Sequence, residues 1–248
     1  MIFLRSLLFN ISFFVTTGLL AILSIPLLVM PRKYTLLMMR FYAQIVRMQM
    51  QYIIDLKVQI SGVGNIPSGP VIIASKHQSA FDTIFWLGQL PATCYVLKKE
   101  LLSIPIWGWH ARRAQMIGVD RKAGAQALRH LVKHSLLRAR EGRQLVIYPE
   151  GTRVPPGQKM PYQPGVAAMA ASTHLPVIPV ATNSGLFWGR RSFVKQPGTL
   201  TVSVLPALPQ GLGRLELLNQ LERAIEAETT RLVVEARSQF SALPNHDA

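Results

Sequence analysis

The chain has 248 residues, 49% of them hydrophobic, with 27 Lys and Arg against 12 Asp and Glu for a formal charge of +15. That length suffices for one good-sized core and an appendage, and the charge calls for a polyanion, either nucleic acid or an anionic membrane. The basic residues are scattered singly or in pairs such as Arg112–Arg113, without a basic stripe or a nucleic-acid module, which argues against nucleic acid as a partner.

From Ser6 to Pro31 there is no charged residue, and the first acid is Asp55. The run "LLFNISFFVTTGLLAILSIPLLVM" is long enough to cross a bilayer, although Asn10, Thr16, Thr17 and Pro26 weaken it. It is too long for the apolar region of a cleaved signal peptide, and it lacks the polar stripe of an ordinary surface helix. The next segment, "YTLLMMRFYAQIVRMQMQYIIDL", has Arg40 and Arg47 on one face and reads as an interfacial helix. Spanning the membrane and dipping into one leaflet both fit. Arg32, Lys33, Arg40 and Arg47 follow the apolar run against Arg5 before it, which places the body of the protein on the cytoplasmic side. Residues 1–54 are thus expected to attach to a membrane through its lipids and anionic headgroups, and residues 55–248 to form the soluble domain.

In that domain short apolar runs alternate with helical patterns. Strands are expected at "VIIAS" (71–75), "TCYVLKK" (93–99), "AQMIGVD" (114–120), "RQLVIYPE" (143–150), "PVIPVAT" (176–182) and "TLTVSVLPA" (199–207). Helices are expected at Ser79–Gln89, Ile104–Arg113, Gly124–Arg140, Gly165–His174 and about Leu215–Phe240. This alternation predicts an α/β fold with a mostly parallel or mixed sheet flanked by helices, the late strands adding a hairpin. Ligands of such sheets gather where strands end and helices begin. The clusters "KHQSAFD", "GVDR" and "YPEGTR" all stand at such exits.

In the first cluster, Ser79 to Asp82 reads as a capping box opening a helix, which leaves His77 without a role. If His77 folds back over that helix start, the Asp82 carboxylate would fix one imidazole nitrogen and leave the other as a general base. There is no G-x-S-x-G motif, and the single cysteine, Cys94, lies in a predicted strand. A base without an enzyme nucleophile implies activation of a substrate hydroxyl. Gly151, Thr152 and Arg153 after Glu150, with Arg121 at another exit, form a candidate anion site; ordinary turns with surface ion pairs, Asp120 with Arg121 or Glu150 with Arg153, would also explain them. His130 and His134 read as a wet helix face rather than a metal site, and no metal motif occurs.

In this order "KHQSAFD", "GVDR", "YPEGTR" and "LPVIPV" resemble the four motifs of the glycerolipid acyltransferases, in particular the bacterial 1-acyl-sn-glycerol-3-phosphate (lysophosphatidate) acyltransferases, over roughly residues 55–210. The resemblance implies a glycerol-3-phosphate acyltransferase-like fold at a bacterial inner membrane. It makes His77 the base and Asp82 its partner, and gives Arg121, Glu150, Gly151, Thr152 and Arg153 to the acceptor's phosphate. It puts Leu175, Pro176, Val177, Ile178 and Pro179 on the acyl side, although a plain buried strand explains that run equally well. Acyl-CoA or acyl carrier protein would enter as co-substrate, with no metal or other cofactor. The acceptor could instead be glycerol-3-phosphate, a lyso-ornithine lipid or another lysophospholipid, and a basic membrane-binding module without catalysis is the non-enzymatic alternative. Lys76 stands where the family commonly has Asn and Tyr148 where it commonly has Phe, both expected to matter little.

Overall fold

The N-terminal apolar run forms helix α1 (Ile2–Leu23) in the computed structural model, which describes residues 1–240 and Leu243. The chain reverses through a short 3-10 turn, Ile25–Leu28, containing Pro26, and returns as α2 (Arg32–Ile53). The polar residues that interrupt the apolar run are spent inside the protein. Asn10 donates to the Phe193 carbonyl (2.9 Å), and Gln49 of α2 donates to Ser12 Oγ (2.8 Å) and Thr16 Oγ1 (2.7 Å). Thr17 bonds to Tyr42 Oη (3.0 Å). The outer face of α1 is left apolar and bare, with Leu4, Leu8, Ile11, Val15, Leu19 and Ile22 exposed.

Seven strands form one sheet in the order β1-β7-β6-β2-β5-β3-β4. They are β1 (Leu56–Ser61), β2 (Val71–Ser75), β3 (Thr93–Lys98), β4 (Ile117–Val119), β5 (Gln144–Ile147), β6 (Val177–Thr182) and β7 (Gly198–Val204). The five from β6 to β4 are parallel, and β1 and β7 run the other way because β7 pairs antiparallel with β6. A parallel sheet covered on both faces needs strands apolar on both sides; β2, β5 and β6 are buried throughout. The expected late hairpin is a wider return in which the short helix α7 (Ser184–Phe187) intervenes between β6 and β7, and β1 is a strand the sequence pattern did not announce.

Helices α3 (Ala80–Gln89), α4 (Trp107–Arg113), α5 (Gly124–Arg140), α6 (Gly165–Thr173) and α8 (Arg214–Gln239) complete the fold. One core joins the sheet to Phe9 of α1, Val46 and Met50 of α2 and Phe85 of α3. The other lies across the sheet beneath Leu131 of α5, Val166 and Met169 of α6 and Leu221 and Ile225 of α8. The N-terminal hairpin and the α5–α6 layer therefore occupy opposite faces. Helix α1 touches the domain along its length, from Phe3 on Phe193 (ring centroids 5.2 Å) through Phe9 on Trp188 (5.1 Å), and Ser24 just past its end bonds His110 (2.9 Å).

Candidate active site

Strand β2 ends at Ser75, and the next seven residues build the centre of the site. Ser79 caps α3, accepting the Phe81 N–H (3.2 Å), while the Asp82 carboxylate reaches back to the N–H groups of Ser79 and Gln78 (both 2.7 Å). That bend turns His77 over the helix start. Its Nδ1 lies 3.1 Å from Asp82 Oδ2, the same oxygen that holds the cap. The capping box and the histidine–aspartate pair are therefore one structure. The other carboxylate oxygen, Oδ1, accepts from Ser184 Oγ (2.6 Å).

The imidazole is held from three further directions. The His77 N–H donates to Glu150 Oε2 (2.9 Å), its carbonyl accepts from the Val154 N–H (2.8 Å), and its ring stacks on Tyr148 with centroids 4.0 Å apart. The "YPEGTR" segment thus clamps the histidine as well as following the neighbouring strand. Burial, with Tyr95 and Asp82 nearby, pushes the Tyr148 hydroxyl well above its usual range, so it stays neutral. Among the described residues Nε2 of His77 has no hydrogen-bond partner, which is the state a general base requires. Cys94 is buried in β3, and burial pushes its thiol up to about 11, which removes it as a nucleophile.

Behind the histidine lies a buried charge cluster. Lys76 Nζ sits 2.7 Å from Glu150 Oε1 and 2.6 Å from Glu226 Oε1 of α8, and Tyr162 Oη donates to Glu226 (3.0 Å). The Lys76 and Glu150 side chains are 1% and 0% exposed, so the Glu150 carboxylate is turned inward onto Lys76, where sequence had suggested a phosphate contact. Its two oxygens are committed to Lys76 and to the His77 backbone. Nor is Lys76 a minor variant: its ammonium is the shared counter-ion of two buried acids.

Burial raises the Glu150 carboxyl from 4.5 to about 7, against the opposing pull of Lys76. A carboxyl whose folded pKa lies above its unfolded value binds its proton more tightly in the native state. Its ionisation therefore removes stability as pH rises from about 4.5 to about 7, with no further change above. Glu150→Gln is expected to narrow the stability difference between about pH 5 and pH 7.5 in urea unfolding; an unaltered difference would refute the assignment.

The remaining predicted residues gather at the same end of the sheet. Gly151 has φ +71°, the left-handed region that glycine tolerates, and a Cβ placed there would stand 3.5 Å from Cζ and Nη1 of Arg121. The arginine after β4 thereby reaches the turn after β5 across the intervening β3. Thr152 and Arg153 are half-buried beside it, and Arg190 approaches the Arg153 carbonyl (3.5 Å). The alternative surface ion pairs do not form. Asp120 accepts from the Lys122 N–H (3.1 Å) and faces Lys99 (3.8 Å), and neither Arg121 nor Arg153 pairs with a carboxylate among the described residues.

The fourth motif is placed differently. Ala74 pairs with Pro179 and Ser75 with Val180, so Leu175, Pro176, Val177, Ile178 and Pro179 lie toward the opposite end of the sheet. At about 3.3 Å per residue they stand about 10–23 Å short of the level of His77. Parallel neighbours start at the same edge, and it is the far end of β6 that delivers Ser184 to Asp82. Val177 and Ile178 pack into the two cores on opposite faces. The rule that ligands gather at strand exits could have found Ser184, since β6 borders β2; the Lys76–Glu226 contact, 150 residues apart, left no local signal.

The chain is similar to known acyltransferases in sequence and in fold. The family model described as Acyltransferase matches residues 57–183, just over half of the chain. A 1-acyl-sn-glycerol-3-phosphate acyltransferase of Pseudomonas aeruginosa is 37% identical over 177 residues, covering 70% of this chain and 69% of the relative. One from Limnanthes douglasii is 29% identical over 170 residues, 67% of this chain and 60% of the relative. The crystal structure of the 1-acyl-sn-glycerophosphate acyltransferase PlsC from Thermotoga maritima superposes with a TM-score of 0.77, covering 94% of this chain and 98% of that one at 21% identity, a likeness of fold. With the matched region running from β1 through the end of β6, where His77, Asp82, Arg121 and Arg153 all reside, the chain belongs to the acyltransferase family.

Proposed function

We propose that this protein transfers an acyl chain from a thioester, acyl-CoA or acyl carrier protein, to the sn-2 hydroxyl of 1-acyl-sn-glycerol-3-phosphate, giving phosphatidic acid for phospholipid biosynthesis. The observation that carries this reading is the pairing of His77 Nδ1 with Asp82 at 3.1 Å, which leaves Nε2 open at the end of the sheet that holds Arg121 and Arg153, neither paired with a carboxylate among the described residues. Nε2 takes the hydroxyl proton as that oxygen attacks the thioester carbonyl carbon. The C–O ester bond forms, the C–S bond breaks, and the proton passes to the departing thiolate. Asp82, supported by Ser184, orients the imidazole and offsets its developing charge. Arg121 and Arg153 hold the acceptor's phosphate, and Gly151 gives that phosphate close access to the backbone.

The hairpin supplies the substrate's location. With α1 tied to the domain from Phe3 to Ser24, its bare face enters one leaflet rather than carrying the chain across. Trp107 and Trp109 of α4 are each 46% exposed; α4 also anchors the turn after α1, where Arg113 bonds the Met30 carbonyl (2.9 Å). Half-exposed tryptophans at that level suit a membrane–water interface. Arg32, Lys33, Arg40 and Arg47 beside the hairpin suit the anionic lipids of a cytoplasmic leaflet, which supports a domain on the cytoplasmic side as part of this proposal.

A panel of lysolipids offered with labelled acyl-CoA and acyl carrier protein tests the assignment. Lysophosphatidate should be acylated fastest, and preference for a phosphate-free acceptor would overturn it. Arg121→Ala and Arg153→Ala should each raise the lysophosphatidate KM by about tenfold or more, the worth of a charge-assisted hydrogen bond, with a smaller effect on kcat. An unchanged KM would remove the phosphate role.

A further inference from the structure

On the sheet face opposite the hairpin, α5 and α6 enclose a groove of about 720 Å³ that the acyl-transfer chemistry does not use. Its floor is apolar, with Leu128, Val132 and Leu136 of α5 against Ala168 of α6. Its rim carries Arg129, Lys133, Arg140 and Arg214. None of these four cations pairs with a carboxylate among the described residues, and α5 contains no acid between Gly124 and Arg140. Arg129, Lys133 and Arg140 follow one ridge of the helix, spread over about 16 Å at 1.5 Å per residue. Unpaired cations along an apolar trough are complementary to an amphipathic helix with acidic flanks.

Resting on the acyl-transfer reading, we propose that this groove docks the donor as an acidic acyl carrier protein. Its helix lies along α5 with acidic side chains on the four cations and apolar ones on the floor. Ala125, four residues past Arg121 at the start of α5, lines the groove, so a carrier seated here has its acyl-bearing arm within reach of the sheet end that holds His77. A lipid surface fits less well, because the bare apolar hairpin engages the membrane from the other face of the sheet. A nucleotide donor also fits less well: the cations form a long ridge rather than a cluster, and among the described residues no aromatic side chain lines the groove to stack a base.

The test is the double variant Arg129→Glu with Lys133→Glu, assayed with palmitoyl-acyl carrier protein and with palmitoyl-CoA at fixed lysophosphatidate. Direct binding of the carrier protein is followed by fluorescence anisotropy. The KM for the carrier-bound donor and the carrier's Kd should each rise by about tenfold or more while the palmitoyl-CoA KM stays within about twofold. The carrier Kd of the unaltered protein should also weaken steeply with salt. Unchanged carrier binding overturns the proposal, as does an unaltered protein that fails to bind the carrier at all. A parallel rise for palmitoyl-CoA reassigns the groove to the nucleotide, and lost binding to phosphatidylglycerol vesicles reassigns it to lipid; both overturn carrier docking. Arg140→Glu with Arg214→Glu carries the same expectations should the first variant not fold. An unaltered protein inert with both thioesters would refute acyl transfer, while its carrier Kd would still report on the groove.

Discussion

Replacing His77 by alanine is expected to lower turnover by about 10²- to 10⁴-fold, the usual share of a general base. The fold and the membrane attachment should survive, because the ring contributes one stacking contact and one bond to Asp82, while the backbone links to Glu150 and Val154 remain available. Asp82→Asn tests the partner. Its oxygen can still accept the cap N–H groups, so the helix start is largely preserved, but the charge that steadies the imidazole is gone. The rate should fall toward that of His77→Ala, and the double variant should be no slower than the worse single one, since the two residues act as a unit. Product formation from labelled thioester measures the rate, and circular dichroism with vesicle sedimentation checks the fold and attachment. A His77→Ala enzyme within about tenfold of the unaltered rate would end the general-base mechanism.

The second large effect concerns stability. Lys76→Met leaves the Glu150 and Glu226 carboxyls buried without their shared ammonium, and breaking a buried pair in this way costs about 3–5 kcal/mol. Adding Glu150→Gln and Glu226→Gln should return much of that loss, because neutral buried groups need no counter-charge. Urea unfolding of the single and triple variants measures both steps. A single-variant loss below about 1 kcal/mol would mean that water or a rearranged side chain already serves the two acids. Activity adds an independent reading. Glu150 holds the N–H of His77, so a shifted carboxylate moves the base, and Lys76→Met should lower kcat even at temperatures where it stays folded.

These two expectations differ in how far the sequence alone could have led to them. The first needs only local spacing. Ser79, Asp82 and His77 lie within a few residues, and a capped helix start has few geometries, so their bend was readable before any coordinates. The second depends on Lys76 meeting Glu226, and nothing in the neighbourhood of either residue points to the other. Glu150 shows the same limit. As a residue type at a strand exit it suited a phosphate loop, and only its burial against Lys76 turned it from ligand contact to clamp.

Apart from β1 and α7, the helices and strands, their alternation, the mostly parallel character of the sheet and the His77–Asp82 bend follow from periodicity, apolar runs and turn chemistry acting over a few residues. Strand order, the placement of the fourth motif away from His77, the arrival of Arg121 at Gly151 and the lie of α1 along the domain came from the tertiary structure. Each of those depends on which distant surfaces are buried together, a choice made by the whole core at once and written in no single stretch of the chain.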